Sequence, residues 1–377
     1  MRRHTGQSNS IFRAVLVIVW GSRPEAIKLG AVAAALKAAH VPFVSLATGQ
    51  HTTLLVGTPA ETDLADSVSL GLQTTGETER WPALAQPVLE TALRDVQASL
   101  VVVQGDTMSA VVGARAASAL GIPVAHVEAG LRSGNLQDPW PEEGYRREIT
   151  RLATWHFAPT HWAFENLLRE GISEDRIFLT GNPVVSAIAR YTAARPVPNP
   201  DPVIMFTMHR REWILGGIQG VLDGLTESAT QDPEVAIVWP MHPGVVKALP
   251  DGWEPPANLR PLAPLPYRET ITLLARSLGV CTDSGGLVEE AATLGVPCAV
   301  LRYVCDRPEA LEAGVARLYP PTEEGVIAAL ETLRNQTLPR LPTDCYGTRF
   351  AADHIAAILG RLVRQEDSAH PIRRAPQ

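Results

Sequence analysis

The stretch Leu100-Val-Val-Val-Gln104-Gly-Asp-Thr107 decides the fold. Its apolar residues follow one another without alternation, as in a strand buried on both faces, and the run stops at Gly105. A helical stretch, Ser109 to Leu120, comes next. After the turn Gly121-Ile-Pro123 a second apolar run begins, Val124 to Val127. Strand, helix and strand in that order predict a βαβ unit and a parallel sheet. Upstream, Val15 to Val19 and the helix predicted over Ala26 to Ala39 repeat the rhythm. Downstream, Arg195 to Pro202 reads R-P-V-P-N-P-D-P, the best linker candidate. The rhythm restarts at Val203 to Thr207, with further strands expected at Ala236–Trp239, Gly279–Thr282 and Cys298–Leu301. The fold class is therefore α/β, as two Rossmann-like, doubly wound domains over residues 11–195 and 196–366. Residues 1–10 and 367–377 read as tails, and 57–82 carry too weak a pattern to place.

Composition agrees and excludes other classes. A chain of 377 residues exceeds what one core usually fills. Its 45% hydrophobic content supports packed interiors, and 19% charged residues argues against disorder. A net charge of -7 argues against a nucleic-acid partner. The apolar run Ala14 to Trp20 is too short to span a bilayer, and no cleavage site follows it, so neither an anchor nor a leader is expected. Cys281, Cys298, Cys305 and Cys345 form no C-x-x-C pair, which predicts free thiols, no metal and a cytoplasmic setting. His4, His40 and His161 read as ordinary histidines.

In parallel sheets ligands sit beyond the carboxyl ends of the strands, so the residues just after each strand carry the chemistry. Gly21-Ser-Arg-Pro-Glu25, with Lys28 one turn on, is a glycine turn opening a helix; Arg23, Lys28 and free N–H groups suit an anion, or simply a helix start. Asp106 follows the strand at 100–104 and is either an acid/base group or a helix cap. His126-Val-Glu128 and Pro141-Glu-Glu-Gly-Tyr-Arg146 add Glu128, Glu142 and Arg146, the last two spaced as a surface pair would be. Thr282-Asp-Ser-Gly-Gly286 offers Ser284, Gly285 and Gly286 to a phosphate, and Glu290 lies two turns along where a carboxylate can bind ribose hydroxyls. His209-Arg-Arg-Glu212 and Arg307-Pro-Glu309 read as anion clamps or as solvated loops.

These motifs, from GSRPEAIKL at Gly21 through TGQH, QGDT, HVEAGLRS, PWPEEGYRR, FAPT, HRRE and TDSGGLVEEA to RPEALEAG at Gly314, resemble the non-hydrolysing UDP-N-acetylglucosamine 2-epimerases. The resemblance implies a GT-B fold with the active site in the interdomain cleft and a final helix near 349–364 crossing back to the first domain. It implies a homodimer, a UDP-sugar substrate and no metal, NAD or other cofactor. The implied reaction inverts C2 by eliminating UDP to a 2-acetamidoglucal and adding it back, giving UDP-N-acetylmannosamine. Acids are then needed on both faces of the ring, and the departing diphosphate needs cationic stabilisation. Asp106, Glu128, Glu142 and His209 match the family's catalytic positions. Arg23, Lys28, Arg146, Ser284, Gly285, Gly286, Glu290 and Arg307 match its substrate contacts, and Gln50 and His51 a regulatory site. Tyr145, Trp213, Pro183, Thr270, Thr52, Leu54 and the stretch Tyr303-Val-Cys-Asp306 depart from the family pattern, which leaves the exact sugar open. A hydrolysing relative that releases N-acetylmannosamine, a GT-B glycosyltransferase and a silent nucleotide-sugar binder stay as alternatives.

Overall fold

The computed structural model describes residues 14–49, 58, 61–72, 80–191, 197, 199–210 and 218–369. Two parallel sheets organise the chain. The first has seven strands: β1 (Val15–Trp20), β2 (Phe43–Ala47), β3 (Val68–Ser69), β4 (Ala98–Gln104), β5 (Val124–Val127), β6 (Trp155–Ala158) and β7 (Ile177–Leu179). Their order is β3-β2-β1-β4-β5-β6-β7. The second sheet has six: β8 (Val203–Thr207), β9 (Ala236–Pro240), β10 (Leu259–Leu262), β11 (Gly279–Thr282), β12 (Cys298–Leu301) and β13 (Ala316–Tyr319). These run β10-β9-β8-β11-β12-β13. Each sheet reverses its winding direction once, between β1 and β4 and between β8 and β11, and ligand crevices open at such points.

The unbroken apolar strands are explained by burial on both faces. Leu16, Ile18, Leu100 and Val102 point into one core, and Val17, Val19, Val101 and Val103 into another. The period of two thus survives inside a sequence that shows none. The first core continues through Val184, Val185 and Ile188 of the helix Pro183–Tyr191 to Met205, Val280 and Val300 of the second sheet. The two halves therefore share apolar packing on one side.

The last helix, Ala351–Ala369, packs on the helix Arg23–Ala38 beside the first sheet, although its sequence follows the second. It starts two residues later than expected and runs to Ala369, so the onset of the expected tail at Asp367 is helical. Asn182 N–H donates to the Tyr346 carbonyl (2.8 Å), and Ser186 Oγ donates to the Arg349 carbonyl (2.8 Å), tying this return to the first half. Within the unplaced segment 57–82 the structure describes β3 and the first turn of the helix Trp81–Asp95.

A cross-cleft cluster of acids and guanidinium groups

The helix Arg23–Ala38 begins directly after β1, and its buried Glu25 folds back to accept the N–H groups of Gly21 (3.1 Å) and Ser22 (2.8 Å). Burial pushes the Glu25 carboxyl up to about 7. The N–H groups of Gly21 and Ser22, just before the helix, are thus taken by an internal acid. Arg23 instead reaches across to Thr270 Oγ1 (3.3 Å) in the second half. One turn on, Lys28 is buried and donates to Glu128 Oε2 (2.6 Å) and Glu289 Oε2 (2.8 Å). Burial works against its charge, but Glu128 and then Glu289 outweigh it and hold its pKa raised.

The acids follow the strands of the first sheet. Asp106 stands two residues after β4 but does not cap the next helix: Thr107 does, accepting the Ala110 N–H at 3.0 Å. Asp106 is left to bind Arg146, at 2.7 Å from Nε. Glu128 directly follows β5 with φ of 66°, a left-handed conformation that costs a non-glycine residue of order 1–3 kcal/mol. The surrounding bonds hold it there: Lys28, the Gln104 amide, and Arg307 Nη2 at 3.0 Å. Glu142 opens the helix Glu142–Leu152, where burial and then the nearby Asp106 raise its pKa. The alternative reading, a Glu142–Arg146 surface pair, is not what forms. Arg146 is buried and bonds Asp106, Asp306 (2.5 Å) and Glu143 (3.5 Å).

The second sheet supplies the opposing wall. Asp283, buried after β11, sits 2.7 Å from His209 Nδ1 and accepts the His209 and Arg210 N–H groups at 2.9 Å each. Burial would raise its pKa, but His209 and those N–H groups hold it well below the usual range. The half-exposed imidazole is therefore fixed through Nδ1, leaving Nε2 as its other ring nitrogen. Ser284 is the N-cap of the helix Gly285–Leu294. A Cβ on Gly285 would lie 2.4 Å from Arg307 Nη1, so this glycine makes room for the Arg307 guanidinium. Among the described residues a Cβ on Gly286 meets only Ser284 Oγ, at 3.9 Å. Glu290 is buried two turns along; burial raises it to about 7 against the opposing pull of Arg23 and Lys28.

Arg307 is not a solvated loop residue. Buried, it bonds Glu289 (2.6 Å), Asp306 (2.7 Å) and Glu128 (3.0 Å). The structure thus brings Asp106, Glu128, Lys28, Arg146, Gly285 and Arg307 into one connected cluster, with Glu142 beside Asp106 and His209 held next to Arg210. Arg210 crosses to Asp138 Oδ1 at 2.7 Å. Sequence reasoning missed Glu289, Asp306, Asp283 and Arg302, each beside or within a quoted motif but without a visible partner. Gln50, His51, Thr52, Leu54, Glu212 and Trp213 lie outside the described residues. Among the described residues no group of His, Cys, Asp and Glu could hold a metal, the four cysteines are free, and no helix is long and apolar enough to cross a membrane.

Known proteins share this framework. A family profile described as UDP-N-acetylglucosamine 2-epimerase matches residues 34–360. The UDP-N-acetylglucosamine 2-epimerase of Campylobacter jejuni is 34% identical over 342 residues, covering 84% of this chain and 89% of that protein. Among solved structures, the UDP-GlcNAc 2-epimerase of Neisseria meningitidis bound to UDP-GlcNAc superposes with a TM-score of 0.83 at 29% identity, over 93% of this chain and 100% of that one. The Methanocaldococcus jannaschii enzyme in complex with UDP-GlcNAc and UDP gives 0.81 at 30% identity, again over 93% and 100%. The fold is that of the GT-B enzymes, as the sequence implied. With two doubly wound sheets, acids at the strand ends of one and a glycine-led helix in the other, this chain belongs to the UDP-N-acetylglucosamine 2-epimerase family of enzymes.

Proposed function

We propose that the chain interconverts UDP-N-acetylglucosamine and UDP-N-acetylmannosamine, or a closely modified UDP-HexNAc, by eliminating UDP and adding it back. One observation carries the reading: Asp106 and Glu128, just after β4 and β5, are joined through Arg146, Asp306 and Arg307, with Glu142 beside Asp106 and Gly285 packed against Arg307. The C2 proton is weakly acidic, so its removal must accompany loss of the diphosphate at C1, and two carboxyl groups must handle protons on opposite ring faces. Glu142, raised by burial and by Asp106, suits a group that carries a proton. Glu128, next to Lys28 and Arg307, suits an acceptor of fixed orientation. The departing diphosphate would meet Arg23, the edge at Ser284 and Gly286, and the His209 ring that Asp283 holds through Nδ1. Glu290 would take the ribose hydroxyls. In this reading 11–195 and 196–366 act as two lobes closing on the sugar, and the assembly is a homodimer, a state light scattering reads directly.

Proton NMR in D2O tests the chemistry. Incubation with UDP-N-acetylglucosamine should place deuterium at C2 and yield an intact UDP-linked epimer. Absence of both with every UDP-HexNAc tried defeats the reading, and free N-acetylmannosamine with UDP as the product would assign hydrolysis instead.

A further inference from the structure

Asp306 collects three guanidinium groups on one buried carboxylate. Oδ2 accepts from Arg146 Nη2 (2.5 Å) and Arg307 Nη1 (2.7 Å), and Oδ1 from Arg302 Nη1 (2.5 Å). Its side chain is 1% exposed, and burial's opposition to the charge is overcome by Arg307, Arg146 and Arg302, in that order. Each arginine leads to a different candidate group. Arg146 comes from the first half and binds Asp106. Arg307 binds Glu128. Arg302 donates through Nε to the carbonyl of Asp283 (2.7 Å), the residue that fixes His209.

From this connectivity we infer that Asp306 is the positioning residue of the site: it sets the mutual placement of Asp106, Glu128 and the Asp283–His209 pair without touching substrate. That carboxylate is the one acceptor the three arginines share, and without it each is held only by its other partners and the common alignment is lost. The Asp106–Arg146 unit also spans to Asp306 from the other half of the chain. It is therefore in register only when the two halves are apposed as they are here. Asp306 thus makes the placement of the acids depend on apposition of the two halves.

The proposal rests on the epimerase reading, and the test separates the two. Asp306→Asn keeps the shape and removes the charge; Asp306→Glu keeps the charge and displaces it by one methylene. For each, kcat and KM for C2 deuterium exchange are measured with UDP affinity by calorimetry and the thermal midpoint. Asp306→Asn should lower kcat about 10²-fold, the scale set by misplaced reacting groups, with UDP affinity within about threefold of the parent. Asp306→Glu should recover part of this, at about a tenfold loss. A kcat within about threefold of the parent for either variant overturns the role. So does a loss of kcat that UDP affinity and thermal midpoint follow in proportion, since that marks a merely structural residue. Should Asp306→Asn fail to fold, Asp306→Glu decides by the same two criteria. A parent enzyme that exchanges no deuterium defeats the epimerase reading itself; a parent that exchanges, with variants that do so equally, defeats only the role of Asp306.

Discussion

Gly285→Ala puts the interior of the cluster under a defined load. The added Cβ would sit 2.4 Å from Arg307 Nη1 and 2.6 Å from its Cζ, against ordinary contact beginning near 3.4 Å. The guanidinium must retreat by about 1 Å, or the helix start must move by as much. Arg307 has no slack for this: its three bonds, at 2.6, 2.7 and 3.0 Å, run to Glu289, Asp306 and Glu128 in different directions. A 1 Å shift carries at least one of them past hydrogen-bonding range. Leaving one partner of a buried ion pair uncompensated costs about 3–5 kcal/mol when complete; a stretched bond should cost about 2 kcal/mol. Misplacing Glu128 by a similar distance should lower turnover about 10²-fold. Gly286→Ala is the control, because among the described residues its Cβ meets nothing nearer than Ser284 Oγ at 3.9 Å; its stability should stay within about 0.5 kcal/mol of the parent. Urea midpoints by circular dichroism give the first quantity and C2 deuterium exchange the second. A Gly285→Ala enzyme with parental midpoint and turnover would refute the claim that Arg307 fills the space a side chain would take.

Two further outcomes follow from the carboxyl groups. Glu142→Gln should fold with the parental thermal midpoint and lose about 10²-fold in kcat for C2 exchange; normal turnover by a folded variant removes Glu142 from the chemistry. Glu290, held near 7 in the fold against 4.5 for a solvated glutamate, makes folding favour its protonated form. Its contribution is fully present below about pH 4.5 and is lost as pH rises through about 7. The urea midpoint of the parent should therefore fall relative to that of Glu290→Gln across this window, whereas parallel curves would show that Glu290 titrates normally.

The strands were readable because burial on both faces leaves a run such as Val101–Val103 with no polar residue to confuse it. The first residues after those strands were readable because sheet topology fixes where a ligand crevice opens. What stayed hidden depended on three-dimensional partners. Asp283 looked like one more polar residue of a glycine turn until the His209 ring lay 2.7 Å away. Glu289 and Glu290 are adjacent and alike in sequence, yet helical rotation sends Glu289 to Lys28 and Arg307, and Glu290 towards Arg23 and Tyr267. In sequence Asp106 reads as an acid/base group or as a helix cap. The helix uses the threonine, which leaves the acid for Arg146. The paired glycines read as room for a phosphate, yet the close neighbour of Gly285 is Arg307, beyond the next strand.

The polypeptide passes between its halves twice, once after Tyr191 and again before Tyr346, where the return is stitched to Asn182. A body joined by a single cord can swivel freely; one joined at two separated points can only fold about the line through them. The helix Ala351–Ala369 therefore does more than fill a groove on its host helix. It anchors a second covalent connection on the first half, beside the Asn182–Tyr346 and Ser186–Arg349 bonds, which twisting of one half on the other would strain. Cutting the chain ahead of that helix would leave the halves tethered but free to meet in the wrong alignment.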